Sequence, residues 1–359
     1  MKDIYLTPGP TELYPLVPEF IKEALAQRIP SISHRSSQFE KIYSSAADAV
    51  RRLLGASDSF HVFFLGSATE AMERLVQNCS AKHSFHFVNG AFSERFFQTA
   101  QELDRTAQEK RSAYGEGFDF DAVEIPRETE LICATHNETS SGVMLQPEQL
   151  KALKVRYPKK ILALDIVSSA PYPKLSFDHL DAAFFSVQKC FGLPAGLGVL
   201  LVNDYCLEKS ADILRLGQSV GTYHNFPTLV SFSEKNQTPE TPNVLGIYLL
   251  GKVAQAFLET GLDSIRASID ERAKLVYDFL DGSEKFSAFV KNPAIRSTTV
   301  ISVATAHASA ATKALAKEGL HVGSGYGKYK DQQIRIANFP AHSKKDLERV
   351  VEILRNFTA

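Results

Sequence analysis

The chain has 359 residues, more than a single core usually organises, and its 44% hydrophobic and 23% charged content is that of an ordinary globular protein. A formal net charge of -1 provides no long-range field for nucleic acid or an anionic membrane, so the expected partners are small molecules. Cys79, Cys133, Cys190 and Cys206 are widely spaced with no CxxC pair, and MKDIYLTPGPTELYPLVPEF lacks a signal-peptide apolar region; with no run of membrane-span length, the expectation is a reduced, cytoplasmic protein without a disulfide framework or metal site.

Along the chain, HVFFLG (61–66) predicts a strand, and Met72, Leu75, Val76 and Cys79 follow at helical spacing. SFHFV (84–88) is strand-like and leads into a helical GAFSERFFQTAQEL. LICATH (131–136) predicts another strand, followed by a loop and the helical PEQLKALKVRY. ILALDIV (161–167), AAFFSV (182–187) and GVLLV (198–202) are further strands, the last two joined by a tight hairpin-like turn. Such alternation implies an α/β fold, with a mostly parallel sheet covered on both faces. After about residue 245 the pattern changes. Helical stretches from Leu245 to Leu262 and Asp263 to Leu280 precede the strands TVISVAT and QIRIAN (333–338), with a helix between them. A last helix starts at Ser343, with Asp346 at its third position and Leu347, Val350, Val351 and Leu354 on one face. The expected division is a large α/β domain over 16–245 and a small α+β domain from 1–15 and 246–359.

Ligands of open parallel sheets bind beyond the carboxyl ends of the strands. Gly66-Ser67-Ala68-Thr69-Glu70 follows the first strand and opens a helix, a turn suited to an anion, although plain capping by Ser67 also accounts for it. Asp165 ends ILAL, where a carboxylate is costly unless paired; a strand-end cap or a salt bridge is the competing account. Lys189 follows AAFFSVQ between two apolar runs, and a lysine snorkelling from a strand end is its competing account. Taken together, an anion turn, a carboxylate and a lysine at successive strand ends suit pyridoxal 5'-phosphate.

The ordered segments GSATEA, NETSSGV, ALDIVSS, SVQK and IRIANFPAHSKKDL resemble the class V, fold-type I pyridoxal-phosphate-dependent aminotransferases, and the resemblance runs from LTPGPTELYP to the final helix. It implies that fold, an amino acid and a 2-oxoacid as substrates, and a homodimer whose subunits share active sites. Residue by residue, it implies that Lys189 forms the Schiff base and Asp165 pairs with the pyridinium. Thr139 would donate to the cofactor's phenolic oxygen, and Ser67, Ala68 and Gln188 would hold its phosphate. Phe92 falls where the family places a stacking tryptophan; the chain has no tryptophan, and Phe92 as core is the other account. In QTPETPNVLGIYLLGKV, Thr241 matches the family threonine that reaches the neighbour's cofactor phosphate. Glu240 precedes it where a glutamate is unfavourable, so it points away or Gln237 takes the role.

Arg335 matches the family arginine that grips the substrate α-carboxylate, a task suited to its planar fork. Ile32-Ser33-His34-Arg35-Ser36 resembles the ISHRS motif of phosphoserine aminotransferases, whose His-Arg pair crosses the dimer to bind a distal anion. Gly323-Ser324-Gly325-Tyr326-Gly327-Lys328 departs from that subfamily's Gly-His-Arg, and with GSATEA it is closer to alanine- or serine–glyoxylate relatives. Lys328 is then the candidate for a compensating charge. GSGYGK is no Walker loop, because its glycines are too close and Tyr329 replaces the hydroxyl residue. HSFH (83–86) lacks further ligands for a metal, and no cysteine after Cys206 could serve a desulfurase. A non-enzymatic regulator or scaffold on this fold would be expected to lack the lysine or the acid, and both are here.

Overall fold

The computed structural model describes residues 3–358. The chain opens with β1 (Ile4–Leu6), α1 (Val17–Ala26) and α2 (Ser37–Leu54). Next come β2 (Phe60–Leu65), α3 (Ala68–Cys79), β3 (His83–Val88), α4 (Ala91–Glu102), β4 (Thr106–Arg111) and β5 (Leu131–Thr135). A ribbon of β6 (Asn137–Glu138) and β7 (Val143–Met144) precedes α5 (Pro147–Arg156), β8 (Ile161–Asp165), β9 (Ala182–Ser186) and β10 (Gly198–Asn203). Helices α6 (Asp204–Arg215), α7 (Phe226–Ser233), α8 (Val244–Thr260) and α9 (Leu262–Asp281) follow. The chain ends with β11 (Ser287–Ala288), β12 (Val300–Ala304), α10 (Ala308–Lys317), β13 (Leu320–Ser324), β14 (Gln333–Ala337) and α11 (Lys344–Arg355).

Seven strands form the large sheet in the order β2-β10-β9-β8-β5-β3-β4. All neighbours are parallel except β10, which runs antiparallel to β2 and to β9. Successive side chains alternate between two cores: Leu162, Leu164 and Phe185 join one that includes α2 and α8, whereas Ala163, Phe184 and Leu200 join the other with α3. Burial on both faces is why these strands read as unbroken apolar runs. The exposed edge is β4, whose sequence TAQEKR carries no apolar signal and is absent from the predicted strands; its charges discourage further pairing.

One expectation needs correcting. β9 and β10 do pair antiparallel, but residues 187–197 between them are a wide loop rather than a tight turn. Val187 donates to the Leu197 carbonyl and Leu193 to the Val187 carbonyl, closing the loop's neck while Gln188 and Lys189 project beyond it.

A five-stranded sheet, β1-β13-β14-β12-β11, forms a second layer with its own apolar cluster. α8 packs wholly in the large-sheet core. α9 connects the two: Ile265 and Ile269 lie in the large core, and Val276, Phe279 and Leu280 in the small one. Between them, buried Arg272 donates to Asn338 Oδ1 (2.6 Å) and to the Phe339 carbonyl (3.2 Å), fixing the end of β14 against α9.

Candidate active site

The carboxyl ends of the large-sheet strands meet the small sheet across a cavity of ≈ 430 Å³. Eight sequence-predicted residues line it: Ser67, Ala68, Phe92, Thr139, Asp165, Gln188, Lys189 and Arg335. Thr7, Pro8 and Gly9, which follow β1, form part of the wall, as do Ser324 and Tyr326 from the end of β13 onward. A larger cleft of ≈ 790 Å³ beside α10 and α11 brings together no comparable set of nucleophile, acid and helix start.

Lys189 is 6% exposed, and its Nζ donates to Thr139 Oγ1 (2.9 Å) and Ser168 Oγ (2.8 Å). Those two hydroxyls also bond to each other. The amine lies 4.9 Å from the centroid of the Phe92 ring. Burial pulls its pKa down to about 8, opposed by the charges of Asp165 and Glu138. Gly9 closes over the lysine stem: a Cβ there would stand 2.9 Å from Lys189 Cε, and the backbone has φ +125.

Asp165 Oδ1 accepts the Val167 N–H at 2.8 Å. Burial raises its pKa to about 7, tempered by that hydrogen bond and by Lys189. The site thus holds two groups whose ordinary pKa values are far apart and whose folded values nearly meet.

Glu138 is fully buried, and sequence reasoning assigns it nothing. Its carboxylate accepts Ser93 N–H (2.9 Å), Ser93 Oγ (2.9 Å), Ser140 Oγ (2.6 Å) and Ser140 N–H (3.1 Å), with Phe92 N–H at 3.4 Å. It therefore caps α4 and fixes Phe92 beside the residue that precedes Thr139. Gly90 leaves the space, since a Cβ would sit 2.3 Å from Glu138 Cγ. Only the sequence N-G followed by a helical pattern marks that approach.

At the opposite end, Ser67 caps α3 by accepting Glu70 N–H at 3.0 Å, and Ala68 N–H donates to Ser186 Oγ at 3.0 Å. The capping account of Ser67 and its place at the cavity coexist. An exposed helix start of this kind favours anions. Arg335 Nε donates to the Ser324 carbonyl (2.9 Å) and Nη1 to the Thr139 carbonyl (3.1 Å), so its fork is held from both sides. Tyr326 lies between, 5.9 Å from the Phe92 ring and 5.8 Å from Arg335 Cζ.

His34, Arg35 and Thr241 do not line this cavity. Arg35 donates to Gln237 Oε1 (3.1 Å), the Thr238 carbonyl (2.6 Å) and the Pro239 carbonyl (3.1 Å), and stacks over Phe232. Its neighbour His34 has its pKa lowered by burial and by Arg35. Lys328 is also outside, over the Tyr329 ring at 5.3 Å. Glu240 points to His224 Nε2 at 2.7 Å.

The donor set fits pyridoxal phosphate. An amine with depressed pKa, a buried carboxyl, a ring-facing phenyl group and a helix start surround one cavity, and Gly9 keeps the lysine stem clear. Among the described residues no cluster of three or more His, Cys, Asp or Glu is arranged to hold a metal, and no helix is long and apolar enough to cross a membrane.

Comparisons with known proteins agree with this geometry. The family model "Aminotransferase class-V" matches residues 7–330. A solved phosphoserine aminotransferase of Cytophaga hutchinsonii is 45% identical, with a TM-score of 0.97 and 99% of each chain covered. A curated phosphoserine aminotransferase of Corynebacterium glutamicum (strain R) is 27% identical over 350 residues, 95% of this chain and 91% of that one. An alanine–glyoxylate aminotransferase of Nostoc sp. shares the fold, with a TM-score of 0.85 at 20% identity over 99% and 96% of the two chains.

Proposed function

The chain belongs to the class-V aminotransferases, and from that premise we propose that it uses pyridoxal phosphate to exchange the amino group of phosphoserine with that of glutamate. The observation that carries the chemistry is Lys189, buried between two hydroxyls and beneath a phenyl ring in the same cavity as Asp165 and Arg335. The choice of phosphoserine rests on the similarity to the Cytophaga and Corynebacterium enzymes.

In this reading Lys189 would hold the cofactor, with Asp165 at its ring nitrogen, Thr139 at its phenolic oxygen and Phe92 against its ring. Ser67, Ala68 and Gln188 would take the phosphate beside the start of α3. When bound, pyridoxal phosphate supplies the electron sink that makes the substrate Cα–H acidic. Lys189 is the group that takes and returns that proton; a pKa of about 8 leaves part of its population neutral at ordinary working pH. Arg335 orients the substrate through its α-carboxylate, a bidentate contact that the two carbonyls behind the guanidinium pre-organise.

Lys189 and Arg335 are the only cations lining the cavity of one protomer among the described residues. We therefore assign recognition of the distal phosphate to His34 and Arg35 of a second copy, with Thr241 reaching that copy's cofactor phosphate, and the working form to a homodimer in the cytoplasm serving serine biosynthesis. The two-domain division at 16–245 is likewise proposed; the packing of α8 into the large core favours a hinge further along, within α9. The same shortage of cations favours, as a second reading, an alanine- or serine–glyoxylate exchange.

Half-reactions separate the two. Holoenzyme is mixed with phosphoserine, glutamate, alanine or serine, and loss of the visible cofactor band is followed. Phosphoserine and glutamate are expected to discharge the band, and His34→Ala with Arg35→Ala to impair both far more than alanine. Discharge by alanine or serine but not by phosphoserine establishes the second reading. A band that persists in Lys189→Ala overturns the role of the lysine.

A further inference from the structure

One carboxylate stands at the helix start assigned to the phosphate, and a second is joined to it through a histidine. Glu70 lies in the first turn of α3, and its Oε2 folds back to accept the Gly66 N–H at 2.8 Å, immediately before Ser67. Glu240 approaches from the segment that precedes α8. A carboxylate at that end of a helix competes for the field that would otherwise favour an incoming anion.

Between them is His224, 3% exposed. Its Nδ1 is bonded to Glu70 Oε1 and its Nε2 to Glu240 Oε2 (2.7 Å), so both ring nitrogens face acids and both act as donors. Burial opposes the charge, but the hydrogen bonds to Glu240 and Glu70 outweigh it and hold the pKa up at about 9. The surroundings hold the ring in place. Tyr223 lies against it at 4.0 Å between centroids, and the loop leading to it is fastened to α3 through Asn78. That asparagine donates to the Val220 carbonyl (3.1 Å) and accepts Phe226 N–H (3.0 Å). Arg74, one turn after Glu70, contributes positive charge on the same face of the helix.

We infer that His224 is a positioning residue for the phosphate end of the site: as an imidazolium shared by Glu70 and Glu240, it neutralises the acids that would otherwise repel a dianion at the start of α3. The inference rests on the proposed use of pyridoxal phosphate. Two carboxylates and one imidazolium sum to one negative charge; Arg74 stands nearby but is itself paired with Glu73. Replacing His224 by a neutral residue leaves the same spot a full charge more negative. It also frees the Glu70 carboxylate from its second partner.

The test compares pyridoxal phosphate with pyridoxal, which shares the aldehyde and ring but lacks the dianion. Cofactor is removed from the purified full-length holoenzyme, and the affinities for both are measured by absorbance titration in wild type, His224→Gln and the double variant His224→Gln/Glu70→Gln. His224→Gln is expected to lower the preference for pyridoxal phosphate over pyridoxal by about tenfold or more, the effect of one unit charge on a dianion across a partly screened distance. The double variant, which removes the uncompensated acid, is expected to recover most of that preference. Equal weakening of both ligands in His224→Gln, or no recovery in the double variant, marks a purely structural residue and overturns the inference. If either His224 variant fails to fold, Glu240→Gln decides: it removes an acid while His224 keeps Glu70, and should tighten pyridoxal phosphate alone, whereas looser or unchanged binding overturns the inference. A wild type that takes up neither ligand overturns the functional reading itself, an outcome distinct from failure of the His224 inference alone.

Discussion

Replacing Lys189 with methionine should stabilise the cofactor-free protein. The lysine's ordinary pKa of 10.5 falls to about 8 in the fold, chiefly through burial. At about 1.4 kcal/mol per tenfold change in the equilibrium, that difference is a cost of about 3 kcal/mol for keeping the amine charged and buried. Methionine has similar length and no charge, and fills the same space. The variant loses two donated hydrogen bonds, but Thr139 and Ser168 keep the bond to each other, so the loss is about 1 kcal/mol. A net gain of about 2 kcal/mol follows, which in a chain of this length raises Tm by about 3 °C. The pH dependence gives the argument its sign. Between pH 8 and 10.5 the unfolded lysine is still protonated while the folded one is not, so wild-type stability rises with pH and the variant's advantage turns into a deficit of about 1 kcal/mol, the hydrogen-bond loss that remains. Urea unfolding of both apoproteins from pH 7 to 11 measures this. A variant less stable than wild type at pH 7, or an advantage independent of pH, would refute the reasoning.

Two further outcomes are expected from the cavity walls. Gly9→Ala places a Cβ 2.9 Å from Lys189 Cε at a backbone φ of +125, so the lysine must shift; turnover should fall at least about tenfold, with the cofactor band displaced, and an unchanged spectrum and rate would contradict the contact. Arg335→Lys cannot hold both the Ser324 and Thr139 carbonyls while presenting a fork, so KM for the amino acid should rise by about 10- to 100-fold with a smaller change in kcat, and equal losses in both would argue against carboxylate binding.

Much of the site is legible because it violates local pattern. Asp165 and Lys189 are charges at the ends of apolar strands, and the energetic cost of that placement is a signal a single sequence carries. Ser67 is legible through capping chemistry, which depends on residues three apart. What is not legible depends on distant pairing. Glu138 makes sense only beside Gly90 and Ser93, which lie some forty-five residues earlier and meet it at the start of α4. The TPGP segment reaches Lys189 because β1 pairs with β13 at the far end of the chain, a parallel contact with no local trace. β4 escapes detection because an edge strand needs no apolar face. The width of the β9–β10 loop is also hidden, since its residues are apolar and glycine-rich whether the turn is tight or open.

Glu240 shows how a local misfit becomes intelligible through its partners. Beside a phosphate it reads as an unfavourable residue, and the loop GTYHNFP that supplies its counter-charge has no periodicity to single out His224. Two of the buried bases, Lys189 and His224, differ in what their nitrogens face. Lys189 donates to neutral hydroxyls, which offset the cost of a buried charge far less than a carboxylate would, so burial prevails and the pKa drops to about 8. His224 donates to carboxylates on both sides, which outweigh burial and lift it to about 9. The usual gap between lysine and histidine is thereby closed from both sides, burial drawing the amine down and two carboxylates drawing the imidazole up. On the proposed function, the lowered amine is the one asked to act as nucleophile and base, and the raised imidazole the one that stands toward the anion.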